Sequence, residues 1–224
     1  MTTLLHIDAS ARKTRSISRG LSRLFVETWL KSRPRDRVIR RDLAEDPPPH
    51  VTEAWIAACF TPQDQRDEQA RAALAWSDRA IAELAAANLI VIGTPMYNYG
   101  MPSALKAWFD QVIRIGSTFS FDLARGDWPI EPILSGKRLV VLSSRGEFGF
   151  APGGVRQHMN QLDPHLVTCA RYLGVGDDAV HIISIEYQEF GGERHSRSLA
   201  AAQHAASELA AKLTSSIAPL AEVS

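Results

Sequence analysis

At 224 residues the chain has the length of one domain that can bury a large apolar core without disulfide or metal staples. Lys plus Arg (25) balance Asp plus Glu (25), so the charge gives no case for a nucleic-acid or anionic-membrane partner. The two cysteines, Cys59 and Cys169, lack CxxC or Cys/His spacing, which argues against a zinc site or disulfide framework and leaves them as buried or partly buried thiols.

In chain order, Leu4 to Asp8 is the first predicted strand, a short apolar run flanked by polar residues and too short for a targeting signal. A polar loop leads from it into a helix carrying Leu21, Leu24, Phe25 and Trp29 three and four residues apart. Val38 to Leu43 is the second strand, and the prolines Pro47, Pro48 and Pro49 read as a surface excursion. A second helix carries Leu74, Ser77, Ile81 and Leu84, and Leu89 to Gly93 (LIVIG) is the third strand. The third helix repeats the pattern with Leu105, Trp108, Phe109 and Val112, followed by a second surface excursion over Ala124 to Pro132. Arg138 to Ser143 is the fourth strand, Pro164 to Leu173 the fourth helix with Gly174 as its C-cap, and Ala179 to Ile185 the fifth strand. Leu199, Ala202, Ala206, Leu209 and Leu213 mark the last helix.

Five strands alternating with five helices predict an α/β fold, a three-layer doubly wound sandwich around a parallel sheet, with residues 1–224 as a single domain. No stretch approaches the roughly 18 apolar residues of a membrane span, and a cytoplasmic protein is expected.

In such a sheet ligands bind outside the carboxyl ends of the strands, near the point where strand order reverses. After strand one, Asp8 to Ser18 runs directly into a helix, whose unpaired N–H groups, with the hydroxyls of Ser10, Ser16 and Ser18, make a cradle for a phosphate. Taken alone, that loop reads as an ordinary helix start with Ser16 or Ser18 as N-cap. After strand three, Pro95-Met96-Tyr97-Asn98-Tyr99-Gly100-Met101-Pro102 supplies flat apolar surface and in-plane hydrogen-bonding groups, which suits a planar heteroaromatic ligand. After strand four, Ser143 to Gly149 offers small residues that let backbone N–H groups approach a ring, with Arg145 either a solvated charge or a helper.

Other chemistries lack support. There is no GxxxxGK[ST], GxSxG or HExxH, and the GxGxxA match beginning at Gly174 precedes a strand, so it reads as a helix-terminating turn. Arg66 lies one residue too far from Cys59 for a phosphatase loop. His6 and His181 fall inside strands, where a core or half-buried histidine is expected.

The segment PMYNYGMPSALKAWFDQV, together with Ser10 to Ser18 and Ser144-Arg145-Gly146, resembles the FMN-dependent NAD(P)H azoreductases and quinone reductases of the flavodoxin-like superfamily. The resemblance spans nearly the whole chain and implies a flavodoxin-like sandwich with strand order 2-1-3-4-5 and helices on both faces. It implies that Ser10, Ser16, Ile17 and Ser18 bind the FMN phosphate and that Met96, Tyr97, Asn98 and Tyr99 flank the ring. Ser144, Arg145 and Gly146 would face the pyrimidine end. Glu147 stands where the family usually has a second glycine, so its carboxylate must turn outward or shift the flavin potential, while its N–H can still serve. The implied activity is two-step: NADH or NADPH passes hydride to flavin N5, leaves, and a quinone or azo compound takes its place. No protein nucleophile is required. The resemblance also implies a homodimer, with Phe119 or Phe121 on the substrate face. The competing reading is a flavodoxin-type FMN electron carrier without nicotinamide reductase activity, although such carriers are shorter and strongly acidic.

Overall fold

Strands covered by helices on both faces must be apolar throughout, and the two most continuous apolar runs of this chain lie at the middle of its sheet. The computed structural model describes residues 1–216. Its strands are β1 (Thr3–Asp8), β2 (Arg37–Asp42), β3 (Leu89–Pro95), β4 (Phe119–Phe121), β5 (Ile130–Pro132), β6 (Lys137–Ser144) and β7 (Val175–Ile185). The helices are α1 (Ile17–Ser32), α2 (Glu53–Phe60), α3 (Glu68–Ala86), α4 (Ser103–Val112), α5 (Asp163–Ala170) and α6 (Gly192–Ser216). A five-stranded parallel sheet runs in the order β2-β1-β3-β6-β7, the flavodoxin-like order expected, with β6 and β7 as the fourth and fifth strands.

Side chains alternate across this sheet and build two cores. Leu5, Ile7, Ile90, Ile92, Leu139 and Val141 pack against α3, α4 and α5, while Leu4, Leu89, Val91, Val140 and Leu142 pack against α1 and α6. Every residue of β3 is buried. Trp29 and Phe25 on one side, and Trp108 and Phe109 on the other, are fully buried, and each stabilises the fold by about 2–3 kcal/mol relative to exposure.

Two glycines set close approaches. A Cβ on Gly93 would lie 2.6 Å from both Asp8 Oδ1 and Ser22 Oγ, so glycine here lets α1 lie against the sheet beside the β1 terminus. Gly174 ends the α5 region at φ 85°, as the C-cap expectation required, and a Cβ there would meet the Leu134–Ser135 backbone at 2.7 Å.

Three features differ from the expected elements. The fifth strand starts at Val175 rather than Ala179, because Val175 is buried and pairs with Lys137, and a register shift before Leu139 absorbs the polar residues between. Helix α2 is an addition: EAWIAACF is too short and too uniformly apolar to show a helical period, yet Thr52 caps it by accepting from Trp55 N–H at 3.2 Å. The excursion ending at Pro132 contributes β5, which pairs with β4 as an antiparallel ribbon. Cys59 and Cys169 are free and buried, and burial pushes the Cys169 thiol up to about 11. Among the described residues no helix is long and apolar enough to cross a membrane.

Candidate functional site

The β1–α1 loop ends where Ser16 caps α1, its Oγ accepting from Arg19 N–H at 3.4 Å. The N-cap role read from the sequence is thus observed, and it places the hydroxyl beside the first-turn N–H groups, which have no intrahelical partner. Ser16 Oγ lies 3.4 Å from Ser18 Oγ, and Ser10 Oγ accepts from Arg12 N–H at 3.2 Å. Arg15 sits at φ 55°.

The loop is held from below by Arg19, a buried residue of the first turn of α1. Its guanidinium donates to both Asp42 carboxylate oxygens at 2.6 Å and to the Ser10 carbonyl at 2.7 Å. This bidentate pair holds the Asp42 carboxyl below its usual range, against the opposing effect of burial, and raises the Arg19 pKa.

After β3, Met96 N–H donates to the Ser144 carbonyl at 2.8 Å, which ties two of the loops together. Tyr97 and Gly100 exchange N–H···O bonds of 3.1 and 2.9 Å around Asn98 (φ 47°) and Tyr99 (φ 65°). Two positive φ values in a two-residue turn are the mark of a type I′ hairpin, a conformation that asparagine tolerates and tyrosine does not favour. Holding Tyr99 there costs on the order of 1 kcal/mol, and the surrounding contacts must sustain it.

After β6 the polar side chains turn away from the strand ends. The Arg145 guanidinium is buried, donating to Asp163 at 2.7 and 2.8 Å and lying 5.5 Å from the Phe150 ring. It is neither a solvated charge nor part of the cleft lining; it holds the loop in place. Glu147 is turned outward, its carboxylate accepting from Tyr99 Oη at 3.1 Å and pairing with Arg156 Nε at 2.9 Å. The β7–α6 loop runs back along this segment, with Tyr187, Gln188 and Glu189 N–H groups donating to the carbonyls of Glu147, Arg145 and Gly146 at 2.9–3.2 Å.

These loops border a cleft, partly open to solvent, at the carboxyl ends of the strands. Of the residues expected at a site, Ser10, Ser16, Ile17, Met96, Tyr97, Ser144 and Gly146 line it. Ser18 lies behind Ser16, and Asn98, Tyr99, Arg145 and Glu147 stand around the lining rather than in it. Phe119 and Phe121 line a different, apolar groove with Trp55, Phe60 and Ile130.

Sequence reasoning missed Arg12, Arg15, Pro95, Gln188 and Glu189, all of which line the cleft. The two arginines carried a readable signal, cations interleaved with the serines of a phosphate-type loop. Gln188 and Glu189 carried none, since only the fold-back of the β7–α6 loop brings them in. With hydroxyls, N–H groups and two cations on one loop, and Met96 and Tyr97 on the next, the lining can hold an anion and an adjoining flat ring.

Residues 2–210 match a family model described as flavodoxin-like fold. The chain is 51% identical over 220 residues to the FMN-dependent NADH:quinone oxidoreductase 2 of Colwellia psychrerythraea, covering 95% of this chain and 100% of the relative. It is 45% identical over 193 residues to the FMN-dependent NAD(P)H:quinone oxidoreductase 1 of Pseudomonas aeruginosa, covering 86% and 90%. An FMN-dependent NADH-azoreductase from Bacillus anthracis, solved in complex with FMN, superposes with a TM-score of 0.83 at 18% identity, covering 96% of this chain and 100% of that one. At that identity the likeness speaks for the fold alone.

Proposed function

The chain belongs to the flavodoxin-like family, and from that premise we propose that it is an FMN-dependent oxidoreductase that uses NADH or NADPH to reduce quinones and azo compounds. The observation that carries this reading is the cleft, in which loops distant in sequence bring serine hydroxyls and two arginines beside Met96 and Tyr97.

The donor set fits FMN. Ser10 and Ser16, the α1 N-terminus, Arg12 and Arg15 would hold a phosphate, with the buried Ser18 hydroxyl 3.4 Å behind that of Ser16, and Ile17, Met96 and Tyr97 would support the ring. Bound FMN supplies a hydride acceptor and donor at N5, which no side chain here could replace. The chain's own work is placement. Arg19 fixes the Ser10 carbonyl, the Met96–Ser144 hydrogen bond sets the spacing of two walls, and Arg145 and Glu186 hold the loop after β6. The Gly149 and Phe150 N–H groups donate to Glu186 at 3.0 and 3.3 Å, so that loop is tied to the end of β7. The Gly146 and Glu147 N–H groups would face the polar edge of the ring.

The same reading takes residues 1–224 as one domain, in the cytoplasm, acting as a homodimer. The apolar groove that holds Phe119 and Phe121, together with the exposed Phe60 beside it, offers the face for a second copy, whose substrate side these aromatics would then line. Titration of the apoprotein with FMN, followed by light scattering on the eluted complex, tests both parts. One FMN per chain and a mass of two chains is the expected result; no uptake would remove the cofactor assignment, and a single-chain mass would remove the dimer.

A further inference from the structure

Glu147 makes contacts that a glycine could not, and they join two of the loops that border the cleft. Its carboxylate accepts from the Tyr99 hydroxyl at 3.1 Å and pairs with Arg156 Nε at 2.9 Å, joining the β3–α4 turn to the loop after β6. Arg156 is itself fixed: it donates to the Phe148 carbonyl at 3.2 Å and lies 4.7 Å from the Phe148 ring, which stacks on Tyr187 at 4.4 Å. Tyr99 needs such support. It stands at φ 65° and is 40% exposed, and its other anchors are the Gln161 N–H donated to its carbonyl at 2.9 Å and the Phe150 ring at 6.3 Å.

We infer that Glu147 is a positioning residue, which by clasping the Tyr99 hydroxyl against Arg156 fixes that aromatic ring beside the cleft and sets how tightly a flat acceptor is held there. This rests on the cleft being the FMN site. Two consequences separate the clasp from general support of the fold. An acceptor's KM depends on Tyr99 being held, whereas the charge of the Glu147–Arg156 pair acts on the flavin potential. Removing the carboxylate leaves Arg156 uncompensated and favours the reduced, more negative cofactor; removing Arg156 does the reverse.

The experiment compares Glu147→Ala, Glu147→Gln, Tyr99→Phe and Arg156→Ala as FMN-loaded proteins. Glu147→Ala is expected to raise the KM for a benzoquinone about fivefold, the order of one lost hydrogen bond, with the Kd for FMN within about twofold of the parent. Tyr99→Phe should give a similar rise, and the Glu147→Ala/Tyr99→Phe double variant no more than either alone. Glu147→Gln keeps an acceptor for the hydroxyl and should restore KM, yet shift the midpoint potential positive as Glu147→Ala does, while Arg156→Ala shifts it negative. An unchanged KM in Glu147→Ala, additive KM effects, or potentials that move the same way in Glu147→Ala and Arg156→Ala would overturn the inference. Failure of the parent protein to bind FMN would instead remove the cleft assignment beneath it.

Discussion

Replacing Arg19 with alanine is expected to lower the unfolding free energy near pH 7 by about 3 kcal/mol, the effect of taking one partner from a buried ion pair. Arg19 is 7% exposed and meets Asp42 with two bonds of 2.6 Å, the Ser10 carbonyl with one of 2.7 Å and Asp8 at 3.8 Å. Alanine leaves two neighbouring carboxylates without their cation. Because the Asp42 side chain is 25% exposed and can recover some hydration, the loss falls at the lower end of the range for buried pairs. The pH dependence has a definite sign. Arg19 holds the Asp42 carboxyl below its unfolded value of about 3.9, so the stabilisation is present above that pH and is lost as pH falls through the lower folded value. The gap between parent and variant in urea unfolding should therefore be widest near neutrality and narrow below about pH 4. A gap that is absent near pH 7, or that widens in acid, would contradict this role for Arg19.

The double variant Arg12→Ala/Arg15→Ala is expected to weaken FMN binding about thirtyfold while leaving riboflavin within about twofold. Each arginine is exposed and has solvent competing for its donors, so each charge-assisted contact to a phosphate is taken at about 1 kcal/mol, below the usual range. Lys13, the third cation of the loop, pairs with Glu45 at 3.4 Å and is not among the residues that line the cleft. Isothermal titration of the apoproteins with both flavins reads the ratio directly. Equal losses for FMN and riboflavin would mean that the arginines shape the loop rather than meet the phosphate, and no loss for either would place the phosphate elsewhere.

The sheet was legible because its burial imposes a composition: β3 and β6 are covered on both faces, and LIVIG and RLVVLS show it. Each core strand was found, and the main errors were at ends, as with Val175, which is held in the sheet by its partner Lys137. Helix α2 was missed because EAWIAACF has apolar residues on nearly every face, so no period marks it. At the site, residues on loops directly after β1, β3 and β6 were readable because the fold dictates where those loops lie. Two facts depended on side-chain direction, which spacing does not report. Arg145 turns inward because Asp163 and Phe150 receive it, and Glu147 turns outward because Tyr99 and Arg156 do. Tertiary contact also brought in Gln188 and Glu189, through hydrogen bonds to the carbonyls of Arg145 and Gly146.

The most direct test of the proposed function is an anaerobic visible spectrum of the FMN-loaded protein, taken before NADH, after NADH, and after a benzoquinone or azo dye. The expected result is loss of the flavin band with NADH and its return, in stoichiometric amount, with the acceptor. A flavin that binds but is bleached by neither NADH nor, in a parallel sample, NADPH would contradict the oxidoreductase reading and leave a flavodoxin-type electron carrier in its place.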